Sequence, residues 1–205
     1  MTDRSKTNII FLNDHSVILF KQDAIRDKIM KALKTRQPSP ELSLETLKGN
    51  WSLADQNPDN FTMIVFYRGL HCPLCLKYLT ALELSLQGFT DAGVNVIAIS
   101  SDDKDRTQQT AERAKLENLN VGYGLTVEAA QAWGLHRSAG KGKTSIGIEE
   151  PSEFSEPGLF LVKPNNTLYW SNVSTMPFAR PNFTEILGAI KFVVTNEYPA
   201  RGELV

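Results

Sequence analysis

The order of apolar segments predicts an α/β fold with a central mixed β-sheet flanked by helices, built from a βαβ half followed by a ββα half. Three observations carry this reading. Phe61-Thr62-Met63-Ile64-Val65-Phe66-Tyr67 and Val94-Asn95-Val96-Ile97-Ala98-Ile99-Ser100 are aromatic and β-branched runs, the pattern of strands buried on both faces. Between them Cys75, Leu79, Leu82 and Leu86 fall on one face of a 3.6-residue period. Near the end, two further strand patterns joined by a turn precede a capped helix.

Taken in order, residues 1–38 read as an amino-terminal arm with an amphipathic helix marked by Ile25, Ile29, Ala32 and Leu33, ended by Pro38-Ser39-Pro40. Residues 39–205 then form the main domain. Leu42, Leu44, Leu47, Trp51 and Leu53 suggest an extended opening segment. After strand 61–67, Pro73 suits a first helical turn, where its missing N–H is not needed. Asp91-Ala92-Gly93 ends that helix before strand 94–100. Lys104 to Asn118 reads as a polar surface helix, followed by a short strand near Val121 to Leu125 and a short helix from Val127 to Trp133. Residues 136–156 read as a mobile insertion over the site. Leu159 to Lys163 and Thr167 to Trp170 form a hairpin about Pro164-Asn165-Asn166, and Asn182 with Glu185 starts a last helix through Phe192.

Composition narrows the function classes. The 22 Lys plus Arg balance 23 Asp plus Glu to a formal charge of -1, which offers no overall pull toward nucleic acid or an anionic membrane. The longest apolar run, Met63 to Tyr67, is far short of the about 20 residues that span a bilayer. The amino terminus lacks the pattern of a secretory signal, so a cytoplasmic protein is expected, in which the five Asn-x-Ser/Thr sequons are chance matches. Two cysteines are too few for a disulfide scaffold.

Those two, Cys72 and Cys75, stand where a buried strand hands over to a helix. On a first helical turn, residues three apart lie about 5 to 6 Å apart at Cβ, close enough to bridge after small adjustment. Cys72 at the N-cap would meet unpaired N–H groups and the positive end of the helix dipole, which favour the nucleophilic thiolate. Cys75, one turn inside on the apolar stripe, would be the shielded partner that resolves a mixed disulfide or a sulfenic acid. Competing readings are a zinc site, a pair of inert buried thiols and a structural disulfide. Zinc wants four ligands where the chain has two thiols and three scattered histidines, and so short a loop restrains the unfolded chain little. Gly142-Lys143-Thr144 resembles the end of a phosphate-binding loop, but Arg137 stands where that pattern needs glycine.

Tyr67-Arg68-Gly69-Leu70-His71-Cys72-Pro73-Leu74-Cys75 resembles the active-site segment of the peroxiredoxin-like branch of the thioredoxin superfamily, the alkyl hydroperoxide reductase and thiol-specific antioxidant family. The likeness runs from about Leu42 to Phe192 and includes Gly158-Leu159-Phe160-Leu161-Val162 and the loop Met176-Pro177-Phe178-Ala179-Arg180. It implies a thioredoxin-like fold and a thiol-dependent oxidoreductase that needs no bound cofactor, and the ligand count above gives no reason to expect a metal. The partners it implies are a disulfide-bearing protein or a small thiol or peroxide, together with a cellular dithiol reductant. It allows a homodimer, and it implies neither a nucleic-acid nor a membrane partner.

Departures from the family pattern separate the activities. Peroxiredoxins carry Pro-x-x-x-Thr-x-x-Cys. Placing their reactive cysteine at Cys75 puts Cys72 at the Thr position and Arg68 at the Pro position; placing it at Cys72 puts Gly69 and Val65 there. The arginine that family places before Gly-Leu-Phe is here Pro157, which resembles instead the cis-proline of thioredoxins, although Glu156-Pro157 is trans by default. The expected activity is therefore thiol-disulfide exchange, with peroxide reduction and a non-catalytic redox-sensing module as alternatives. Catalysis is assigned to Cys72 and Cys75, and thiolate stabilisation or substrate binding to Arg68, His71 and Pro157. Arg180 is read as structural, and His15 and His136 have no visible partners.

Overall fold

The computed structural model describes residues 33–204. The amphipathic helix expected in the arm falls almost wholly outside that range. A hairpin of β1 (Ser43–Thr46) and β2 (Gly49–Ser52) opens the fold, followed by a 3₁₀ turn (Leu53–Asp55) and β3 (Phe61–Phe66). Then come α1 (Pro73–Asp91), β4 (Val94–Ile99), α2 (Lys104–Ala114), β5 (Asn120–Gly122) and α3 (Val127–Ala132). The chain closes with β6 (Arg137–Ala139), β7 (Glu153–Ser155), β8 (Gly158–Val162), β9 (Leu168–Val173) and α4 (Phe183–Thr195).

Seven strands form a single mixed sheet in the order β2-β1-β5-β4-β3-β8-β9. β3 runs parallel to β4, with Phe61 opposite Val94, and antiparallel to β8, with Phe66 opposite Gly158. Every residue of β3 is buried, and alternation along it supplies both faces. Phe61, Met63, Val65 and Tyr67 join Leu79, Leu82 and Phe89 of α1 and Phe183, Ile186 and Ile190 of α4 on one face. Ile64 and Phe66 join Trp133, Phe160 and Leu168 on the other. The α/β thioredoxin-like architecture expected from the sequence is the one observed.

The elements end for local reasons. Gly93, at φ 68°, turns the chain out of α1 into β4. α2 stops at Ala114, short of the expected Asn118, because Lys115 takes a left-handed C-cap conformation at φ 55°. Asn182 caps α4 by accepting from Thr184 N at 2.8 Å. The opening segment is a hairpin whose β1 pairs with β5 through Thr46 and Gly122. The insertion expected to be mobile is instead anchored: its ends pair as a β6–β7 ribbon, with Ser138 opposite Phe154.

Candidate redox site

Three segments converge where the parallel strands end. Leaving β3, residues 67–72 carry the chain to α1; leaving β4, Ser100 to Asp103 lead into α2; and Ser174 to Pro181 link β9 to α4. The first segment is pinned by the second. Asp102, almost wholly buried, accepts from Leu70 N at 2.7 Å and pairs with Arg106 Nε at 2.8 Å. Gly69 turns at φ +135°, and a Cβ there would meet Asp102 Oδ2 at 2.6 Å, so both conformation and space demand glycine.

Held this way, Cys72 is the N-cap of α1, in extended conformation at φ -100° and ψ 101°, and its Sγ accepts from Cys75 N at 3.2 Å. The two cysteines are bridged, with their Cα atoms 5.2 Å apart. Cys75 has no exposed surface and Cys72 retains 2%. The pair therefore sits at a helix N-terminus, where the terminal N–H groups and dipole favour negative charge on sulfur when the bridge opens.

Arg180 brings a cationic group to the sulfurs. Its Nη1 lies 3.8 Å from Cys75 Sγ and its Nη2 donates to the carbonyl of Leu74 at 2.9 Å. The Tyr78 ring lies 3.9 Å beneath the guanidinium, and Tyr78 Oη donates to the carbonyl of Pro181 at 2.7 Å. Burial lowers the Arg180 pKa to about 10, so it remains cationic at neutral pH. The same burial pushes the Tyr78 phenol up to about 12, against the pull of Arg180. The sequence reads Arg180 as structural, and the structure sets its guanidinium beside Cys75. The available signal was the resemblance of the 176–180 loop, but 105 residues separate the two partners.

Arg68 and His71 point elsewhere. Arg68 pairs with Glu150 at 3.6 Å and with Glu156 at 3.5 Å, the latter too poorly aligned for a hydrogen bond, and stacks on Phe154 at 4.5 Å. Its charge is answered by ribbon carboxylates. His71 is wholly buried 4.6 Å from the Phe154 ring, with neither ring nitrogen hydrogen-bonded. Burial is the main cause lowering its pKa to about 4, with Arg68 and Arg106 adding to it and Asp102 and Glu150 opposing. At neutral pH it is uncharged, so the thiolate stabilisation expected of Arg68 and His71 finds no support in their contacts. Both fasten the segment 149–156 to the turn between β3 and α1, and Arg106 Nη2 donating to the Glu149 carbonyl at 3.2 Å and the Ser101–Ser155 contact at 3.5 Å fasten it to the end of β4 and the start of α2.

Pro157 lines a small cleft with Tyr78 and Arg180, beside the site, and its carbonyl accepts from Ser174 N at 2.9 Å. No cis peptide occurs among the described residues, so the Glu156–Pro157 bond is trans. No group of three or more metal-ligating side chains that could hold an ion occurs among them either, and no helix there is long and apolar enough to cross a membrane.

The model of the AhpC/TSA family matches residues 35–171. No curated protein matches the chain. Among solved structures, the chain is similar to peroxidoxin BcpB from Mycobacterium tuberculosis, with a TM-score of 0.62 at 16% identity over 79% of this chain and 99% of that one. It is similar to a peroxiredoxin 6 of Arenicola marina, with a TM-score of 0.65 at 17% identity over 82% and 76% of the two chains. A structure described as a thiol:disulfide interchange protein DsbE from Chlorobium tepidum superposes at 0.57, with 16% identity over 79% and 98%. At these identities the structural likenesses establish the fold.

Proposed function

The chain belongs to the AhpC/TSA family, a family of thiol-dependent oxidoreductases, and from that membership we propose that it is a thiol-disulfide oxidoreductase cycling between the Cys72–Cys75 dithiol and its disulfide. The observation that carries the reading is the bridged pair itself on the first turn of α1. In the reduced protein the Cys72 thiolate attacks one sulfur of a substrate disulfide. A Cys72–substrate bond forms and the other substrate sulfur leaves as a thiolate, which takes up a proton from solvent. The Cys75 thiolate then attacks Cys72 Sγ, the internal bridge forms and the second substrate thiolate leaves. Two electrons have passed to the substrate, and a dithiol donor restores the pair by the reverse exchange.

Exposure and charge divide the two roles. Cys72, at 2% exposed, is the less buried of the two, whereas Cys75 lies against Arg180, which favours its thiolate at the moment it must displace product. Cys75→Ser should therefore trap a mixed disulfide on Cys72, visible by mass spectrometry as an adduct released by dithiothreitol. Cys72→Ser should trap none. Adducts on Cys75 alone in the converse variant would overturn the assignment.

A second reading, peroxide reduction by Cys75, is favoured by the guanidinium beside its sulfur. There Cys75 attacks the peroxide, is oxidised to the sulfenic acid and releases water or an alcohol; Cys72 condenses on it with loss of water. Stopped-flow mixing of reduced protein with hydrogen peroxide separates the readings. The exchange reading expects oxidation no faster than that of a free thiol.

A further inference from the structure

We propose, resting on the exchange reading, that Leu74, Met176 and Phe178 form an apolar collar about the disulfide which selects polypeptide substrates with apolar residues flanking their own cystine. These side chains are 40%, 47% and 54% exposed. Leu74 stands between the two cysteines on the first turn of α1, and Met176 and Phe178 stand on the Ser174 to Pro181 loop. The two sides are tied together by Arg180, which reaches back from the loop to the Leu74 carbonyl and to Cys75 Sγ.

Disulfide exchange brings a substrate sulfur to bonding distance of Cys72, so the atoms that flank that sulfur must rest on whatever surrounds it. The helix offers one exposed apolar side chain there, and the loop that Arg180 ties to the sulfurs carries two. From Ser174 to Ala179 the loop carries no formal charge. Its Arg180 is already engaged by Tyr78, the Leu74 carbonyl and Cys75, and Lys77 lies one turn further along α1. A small charged thiol thus finds little to hold it, while an apolar chain gains three side chains to cover. The loop also keeps Ala179 in the left-handed region at φ 57°, a conformation unfavourable for alanine that persists where surrounding contacts impose it. Methionine beside phenylalanine adapts to varied apolar partners.

The test uses the full chain pre-reduced with dithiothreitol and two disulfides, insulin as the polypeptide and 2-hydroxyethyl disulfide as the small neutral probe. The readout is the ratio of second-order rate constants for insulin and the small disulfide. In the Met176→Ser/Phe178→Ser variant this ratio should fall at least tenfold. In Phe178→Leu it should stay within twofold of wild type, because apolar surface is retained. Leu74→Ser, on the other side of the sulfurs, should lower the ratio on its own. Reduction of both probes with ratios in the serine variants within threefold of wild type would overturn the collar and leave the exchange reading standing. Failure of the wild-type protein to reduce either probe would overturn the exchange reading, and the collar with it.

Discussion

Acidification should weaken this fold through His71. The imidazole has no exposed surface, both nitrogens lack hydrogen bonds, and Phe154 packs against its ring at 4.6 Å. Its pKa falls from 6.5 to about 4, with desolvation the leading cause. In the unfolded chain the residue takes its proton near 6.5; in the folded chain it resists until about 4. Between those values the unfolded state binds more protons, so stability is fully present above the upper value and is lost as pH falls toward the lower. Each factor of ten in protonation is worth about 1.4 kcal/mol, so the full effect is about 3 kcal/mol, of which about 2 kcal/mol is lost by pH 4.5. Urea unfolding at pH 7 and pH 4.5 reads this directly when wild type is set against His71→Phe, which keeps an aromatic ring against Phe154. Carboxylates contribute alike to both proteins and cancel in the difference. Wild type should lose about 2 kcal/mol more than the variant over that interval. Losses equal within about 0.5 kcal/mol would refute the burial argument.

Three further outcomes follow from the same loop and its neighbours. Arg180→Gln removes the cation 3.8 Å from Cys75 Sγ and should leave less of Cys75 as thiolate at a given pH, followed by absorbance near 240 nm in the reduced Cys72→Ser background; an unchanged thiolate fraction would remove Arg180 from the chemistry. Gly69→Ala places a methyl 2.6 Å from Asp102 Oδ2 at a φ of +135°, and should cost about 2 to 4 kcal/mol in thermal or urea unfolding. Asp102→Ala strands the Leu70 N–H and the Arg106 guanidinium, and should cost about 2 to 3 kcal/mol, with faster amide exchange at Leu70 as the local signature.

The elements that could be read from the sequence are those whose signals are local. The unbroken apolar run of β3 marks a strand with two covered faces, and Phe61 and Ile64 do divide between opposite cores. Pro73 after Cys72, and Asn182 before Phe183, mark helix starts because capping is satisfied within three residues. The early stop of α2 was missed, since a left-handed Lys115 carries no sequence mark as plain as a glycine. The ribbon was missed as well: its strands are three residues each, and their pairing is reinforced by Arg68 and Arg106, which lie outside it.

For the site, the sequence by itself determined the sulfur chemistry available, two cysteines three residues apart at a strand-to-helix junction, because helix geometry alone brings such residues within bridging reach. Which charges act on those sulfurs was decided by tertiary structure. Arg68 and His71 are neighbours in the chain, yet the turn at Gly69 carries one to the ribbon carboxylates and packs the other against Phe154. Arg180, 105 residues from Cys75, is brought to its sulfur by a loop resting on Tyr78. Electrostatic effects depend on distance through space and on burial, and neither is a property of separation along the chain.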